Sequence, residues 1–114
     1  MDDEKTNVLV ATAYVLGAIG TIDEPEGRMA EVEASITDSG LNWDALLETM
    51  DNNPVDQALT RLAAHLLDNR PVTIKDVFVP LNDEYQAVAY QALLILFPSF
   101  SKRWEKRYEF ADQD

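Results

Sequence analysis

The sequence predicts an all-α fold, a compact single-domain bundle of five to seven helices. Its 114 residues suit a single domain, and 46% hydrophobic with 26% charged residues is an ordinary globular composition. Six segments have helix caps or helical spacing of their apolar residues, and no two segments form a convincing strand pair. We therefore expect one helical domain over residues 1–114, frayed at residues 1–6 and 111–114.

Two nearly all-apolar segments are predicted to pack against each other at the centre of the bundle. Val8 to Ile19 is apolar on every side, which favours a helix that is buried on most faces. Tyr85 to Phe97 is the second such helix, and it follows the acidic start Asn82-Asp83-Glu84. Leu93 and Leu96 would then be core residues.

Caps predict where three further helices begin. The acids and the early proline of Asp23-Glu24-Pro25-Glu26 have the pattern of a capping box, which predicts an amphipathic second helix from near Glu24 to Gly40. Asn42 is expected to cap a short third helix over residues 43–50. A cap followed by proline, Asn53-Pro54, predicts a fourth helix that ends near Leu67.

Two further segments lie in the C-terminal half of the chain, and each is predicted to be helical. Pro71 to Leu81 is rich in β-favouring residues, but Thr73-x-x-Asp76 could cap one helical turn, so a short helical or 3₁₀ segment is favoured over a strand pair. A last helix over about residues 99–110, capped by Ser99 or Ser101, completes the bundle. The aromatic residues predicted on its buried side are Phe100, Trp104 and Tyr108.

The composition excludes several kinds of active site. The chain has no cysteine and one histidine, so thiolate nucleophiles, disulfides and sites that need two imidazoles from one chain are excluded. Phosphate-binding loops and nucleophile elbows are also missing from the sequence. We therefore expect a protein that is not an enzyme, with no catalytic residues, no metal site and no cofactor.

The N-terminus favours a cytoplasmic protein. It is acidic where a secretory signal is basic. The apolar run from Val8 to Ile19 is also shorter than the roughly 20 residues that span a bilayer. We expect no membrane insertion.

The junction Ala18-Ile19-Gly20-Thr21-Ile22-Asp23-Glu24-Pro25-Glu26 resembles the A-D-G-x-I-x-x-x-E junction of the TerB-like (tellurite-resistance) helical domains. Gly20, Ile22 and Glu26 match position by position, and the resemblance covers roughly residues 8–50. It implies a helical domain with a role in stress response or cation sensing at a membrane-associated complex. The family's turn aspartate, one of the acids associated with cation binding, is an isoleucine here, so the resemblance is to a degenerate member of that family.

The charge of the chain points to its class of partner. The net charge is −12, and residues 102–114 hold four bases and four acids, so the whole excess lies in residues 1–101. This charge would repel nucleic acids and anionic membranes and would attract a basic protein surface, so no direct nucleic-acid binding is expected. The acids predicted to bind such a partner are Asp23, Glu24, Glu26, Glu31, Glu33 and Asp38.

The leading functional prediction is a non-catalytic acidic binding protein that engages a positively charged protein partner. It could be an inhibitor, an immunity factor or a phage-type antagonist, and mimicry of nucleic acid is one way in which it could act. The alternative is the degenerate TerB-like domain in stress response or cation sensing. The sequence leaves the identity of the partner and the oligomeric state open.

Overall fold

A computed structural model of the chain describes residues 2–98. In this range the helices are α1 (Asp2–Ala18), α2 (Met29–Ala34), α3 (Trp43–Thr49), α4 (Pro54–Asp68), α5 (Ile74–Phe78) and α6 (Asp83–Leu96). A 3₁₀ turn over Met50–Asn52 joins α3 to α4, and the strands β1 (Ile36–Thr37) and β2 (Gly40–Leu41) form a small antiparallel hairpin. The prediction of an all-α bundle is confirmed.

Helix α1 packs against both α4 and α6. Its first turns lie beside Leu67 at the end of α4, and Tyr85 at the start of α6 binds the chain just after α1, so α1 runs antiparallel to both helices. Small residues on α6 allow its close approach to this core. The fully buried residues of the three helices include Ala11, Val15, Leu59, Ala63, Ala89 and Ala92.

Four helices begin at side-chain caps that the sequence predicted or allowed. The side chains of Asn42, Asn53 and Asn82 accept hydrogen bonds from backbone N–H groups in the first turns of α3, α4 and α6. Thr73 caps α5 by accepting from the N–H of Asp76 at 3.0 Å. The interpretation of this segment as a helical turn is therefore confirmed.

The α1–α2 loop, which we define as residues 19–28, replaces the predicted start of the second helix. Gly20 and Gly27 have φ angles of +77° and +60°, and the N–H of Arg28 donates to the carbonyl of Ile19 at 3.0 Å, which closes the loop on itself. A Cβ atom on Gly27 would lie 2.4 Å from that carbonyl oxygen, so only glycine fits. The capping box at Asp23 is therefore wrong as a helix start.

Helix α2 is shorter than predicted at both ends. It begins at Met29 because Gly27 interrupts the helix before it, and it ends at Ala34. The chain then forms the β1–β2 hairpin, where the hydroxyl of Thr37 donates a hydrogen bond to the carbonyl of Gly40 at 2.8 Å. The prediction of a continuous helix to Gly40 is wrong because these local bonds stabilise a hairpin instead.

The two apolar helices α1 and α6 lie together as predicted, but each leaves an apolar side exposed. Leu9 and Val10 on α1 are 60% and 49% exposed, and Leu93 on α6 is 36% exposed. The prediction that these helices are buried on most faces is wrong, because each contacts its neighbours along only part of its circumference. Among the helices of residues 2–98, none combines the length and the apolar character that crossing a membrane requires.

The prediction of a last helix falls on residues that the structure does not describe. Phe100, Trp104 and Tyr108 lie outside residues 2–98, as do the predicted frayed residues 111–114. Helix α1 begins at Asp2.

Candidate functional site

A polar recess of 380 Å³ lies between the α1–α2 loop, helix α2 and the start of α4. We call it the acidic recess, because four carboxylates and one guanidinium are among its lining side chains. It is lined by Gly20, Asp23, Glu24, Gly27, Arg28, Glu31, Asn53 and Asp56. The four carboxylates and one guanidinium leave it with a net charge of −3.

Arg28 holds the recess together. Its Nε donates to Glu31 Oε2 at 2.7 Å, and its Nη1 donates to Asp56 Oδ2 at 2.8 Å. Its Nη2 reaches the carbonyl of Thr49 at 3.4 Å. The hydrogen bond to Glu31, followed by that to Asp56, raises the pKa of Arg28 although desolvation opposes this shift. All three nitrogens of the guanidinium therefore donate hydrogen bonds to groups of the same chain.

The start of α4 places the carboxylate of Asp56 against Arg28. The side chain of Asn53 accepts hydrogen bonds from the N–H groups of Val55 at 2.9 Å and Asp56 at 3.2 Å, which fixes the first turn. An acid in this turn interacts favourably with the positive end of the helix dipole. Asp56 is only 4% exposed, and its ion pair with Arg28 is a partly buried contact between segments that are distant in the chain.

Tyr85 attaches the α1–α2 loop to α6. Its hydroxyl oxygen accepts a hydrogen bond from the backbone N–H of Ile22 at 3.1 Å, and the side chain is buried. Burial raises the pKa of Tyr85, and the negative charges of Asp23 and Asp56 add to this effect, against the opposing hydrogen bonds from the backbone. The loop that carries the acids is therefore fixed to the core.

The structure brings together three of the six predicted site residues. Asp23, Glu24 and Glu31 line the acidic recess, where Asp23 and Glu24 are exposed and Glu31 pairs with Arg28.

The other three predicted site residues do not line the recess. Glu26 is exposed on the α1–α2 loop, Glu33 is exposed on α2, and Asp38 is exposed in the turn between β1 and β2. These three acids are near lining residues in the sequence, but their side chains do not line the recess.

The residues that build the recess were not all evident from the sequence. Asn53 was predicted as a cap, but Arg28, Asp56 and Tyr85 were not singled out. The sequence did contain a reason to consider Arg28, because it is one of only two basic residues in the acidic first half of the chain. Its contact with Asp56 spans 28 residues and depends on the tertiary fold.

The chemistry of the recess is that of an acceptor site. The carboxylates of Asp23 and Glu24 are exposed to solvent at its mouth and can accept charge-assisted hydrogen bonds from ammonium or guanidinium groups. Residues 2–98 contain no group of three or more histidine, aspartate and glutamate side chains that could hold a metal ion. Comparison of the chain with models of protein families, curated proteins and solved structures found no match.

Proposed function

We propose that the chain is a non-catalytic binding protein whose acidic recess engages a positively charged surface of a protein partner. The observation that carries this proposal is the pairing of Arg28, the one base of the recess, with Glu31 and Asp56. Because the guanidinium is used internally, the exposed carboxylates of Asp23 and Glu24 remain at the mouth for lysine or arginine side chains of a partner.

Two further properties support binding to a basic surface. The net charge of −12 speeds the encounter with a cationic partner, since complementary potentials act chiefly on association. The α1–α2 loop is also fixed by the hydrogen bond from the N–H of Arg28 to the carbonyl of Ile19 and by the hydrogen bond to Tyr85, so little conformational entropy would be lost when a partner binds. A rigid acidic loop suits recognition better than an acidic tail does.

Within this class, the chain would act as an inhibitor, an immunity factor or a phage-type antagonist. A protein that covers a cationic groove prevents other ligands from entering it, and carboxylates on a rigid surface can take the place of backbone phosphates. Mimicry of nucleic acid is one form that this inhibition could take. The degenerate TerB-like domain remains the alternative, and it differs in requiring a response to cations.

In the first experiment, the full chain is immobilised and used to capture a partner, which is then identified by mass spectrometry. Association and dissociation rates of the purified pair are then measured between about 0.05 and 0.5 M salt, where the Debye length falls from about 14 to about 4 Å. We expect salt to slow association more than it speeds dissociation.

Two matched variants locate the interface. Glu24→Lys changes the mouth of the recess, and Glu4→Lys makes the same change at an exposed glutamate near the start of α1. Both change the net charge from −12 to −10. Glu4 and Ala18, at the end of α1, are fourteen residues apart, which is about 21 Å along the helix and about two Debye lengths at 0.1 M salt.

We expect Glu24→Lys to weaken binding about tenfold or more, and Glu4→Lys to weaken it much less. Glu24 is chosen rather than Glu31, because reversing Glu31 would also break its ion pair with Arg28. If the two variants weaken binding equally, or neither does, the recess is not the interface and the charge serves solubility alone.

A further inference from the structure

A second concavity, unlike the acidic recess, is almost entirely apolar. It has a volume of 280 Å³ and lies between α4, α5 and α6. We call it the apolar groove, and its lining includes Leu62, Leu66, Val77, Phe78, Ala89 and Leu93. Ile74 and Phe97 also line the groove, and they are 78% and 58% exposed, so a large apolar surface faces solvent here.

The described chain leaves the bundle at this groove. Helix α6 ends at Leu96, and Phe97, which lines the groove, has left the helical conformation with φ −125° and ψ 71°. Pro98 follows and disfavours a helical conformation at Phe97. Residues 99–114, sixteen in number, therefore continue from the mouth of the groove.

The sequence of residues 99–114 matches the groove in chemistry and length. Phe100, Trp104 and Tyr108 recur every fourth residue, which would place them on one face of a helix. Phe100 and Tyr108 are eight residues apart, which is about 12 Å in a helix, and the groove is lined over the same separation from Ala89 on α6 to Phe97 just after it.

Charge also favours contact between this segment and the rest of the chain. Residues 2–98 contain 17 acids and 5 bases, a net charge of −12. Residues 102–108, KRWEKRY, contain four bases and one acid, a net charge of +3. The bases lie between the aromatic residues in the sequence, so a helix that buried the aromatic face would leave them at the surface, where the net negative charge of residues 2–98 attracts them.

We propose that residues 99–110 form a helix that lies in the apolar groove of their own chain, antiparallel to α6, with Trp104 between α5 and α6. The short connection from Phe97 to Phe100 holds this helix at a high effective concentration over the groove, which favours it over a separate molecule. This docking covers Ile74, Leu93 and Phe97 and gives the bundle its seventh helix.

The test uses Trp104 as the reporter in the full chain. Both tryptophans are labelled as 5-fluorotryptophan, and Trp104→Phe identifies which ¹⁹F resonance belongs to residue 104. Trp43 is buried and serves as an internal reference for a protected side chain. We expect the Trp104 resonance to show a small H₂O to D₂O solvent shift, like that of Trp43 and unlike that of the urea-unfolded chain.

Three variants place the contact. Ile74→Lys removes an exposed apolar side chain from the groove and adds a charge that repels the basic segment. Leu9→Lys makes the corresponding change on the exposed side of α1, and Ile36→Lys makes it on the β1–β2 hairpin. All three positions are mostly exposed, so the bundle should remain folded, which circular dichroism checks.

We expect only Ile74→Lys to move the Trp104 resonance to the position and solvent shift of the unfolded chain. The proposal is overturned if Trp104 is already solvent-exposed in the unaltered protein, or if Leu9→Lys releases it while Ile74→Lys does not. A Trp104 resonance that becomes protected only as protein concentration rises would mean that a second copy provides the groove, which also overturns docking within one chain.

Discussion

The substitution Arg28→Leu tests whether the acidic recess depends on a buried ion pair. It removes the hydrogen bonds to Glu31 and Asp56 and leaves the carboxylate of Asp56, whose side chain is only 5% exposed, without its cation. Loss of one partner from a fully buried pair costs about 3–5 kcal/mol. Because the side chain of Arg28 is 23% exposed, water can reach part of the site, and we expect a loss of about 2–4 kcal/mol.

The matched control is Arg70→Leu. Arg70 donates to Asp44 at 2.6 Å, but these side chains are 39% and 83% exposed. An exposed ion pair contributes up to about 1 kcal/mol, so the same substitution should cost little here. The two pairs have similar lengths, and a difference between the variants would therefore reflect burial rather than distance.

Urea unfolding followed by circular dichroism measures both losses. In a thermal scan, the loss expected for Arg28→Leu corresponds to a decrease in Tm of roughly 8–20 °C. A double-mutant cycle with Asp56→Asn isolates the pairwise energy, because the loss of the contact with Glu31 occurs in both variants that lack Arg28 and cancels. If Arg28→Leu costs no more than Arg70→Leu, the recess is not held by this pair, and the argument for internal use of the guanidinium fails.

Three further measurements test the core, the loop and the cation alternative. Leu59→Ala should cost about 2–5 kcal/mol in urea unfolding because Leu59 is 0% exposed, whereas Leu93→Ala at a 36% exposed site should cost less than about 1.5 kcal/mol; equal losses would contradict the observed core. Tyr85→Phe should cost about 1–2 kcal/mol near pH 7, because the N–H of Ile22 loses its partner. Since burial raises the pKa of Tyr85 above its ordinary value of about 10, the stability it contributes is present below pH 10 and decreases at higher pH, and between about pH 8 and about pH 11 the unaltered chain should lose more stability than Tyr85→Phe does. Millimolar calcium should leave the Tm unchanged because Ile19, which is fully buried, stands where the TerB-like turn has an acid; a cation at 100 times its Kd would add about 2.7 kcal/mol, so a rise of several degrees would favour the TerB-like alternative.

The sequence predicted best those features that depend on neighbouring residues. A cap works within one turn, and Asn42, Asn53 and Thr73 each bind an N–H group two or three residues ahead. The acids and proline near Asp23 have the same local pattern, but Gly27 ends any helix that they could begin. The carbonyl oxygen of Ile19 leaves no space for a Cβ atom at position 27, and a local sequence pattern does not reveal this.

Burial of the apolar helices was harder to predict for a different reason. A segment that is apolar on every side has no stripe to show which residues face the core. Val15 and Leu9 are equally apolar, yet Val15 is fully buried and Leu9 is 60% exposed, because α4 and α6 contact only part of α1. The exposed sides of α1 and α6 could therefore be found only from the arrangement of the three helices.

The acids of the candidate site have two different roles that the sequence alone does not distinguish. Glu31 and Glu33 are two residues apart on α2, but Glu31 pairs with Arg28 and Glu33 is exposed. Reversing the charge of Glu31 would therefore change stability and binding together. Reversing the charge of Glu24, which is exposed at the mouth of the recess, should change binding alone. If the affinity for a partner changed on charge reversal of Glu31 but not of Glu24, the effect would come from a destabilised loop and not from contact with the recess.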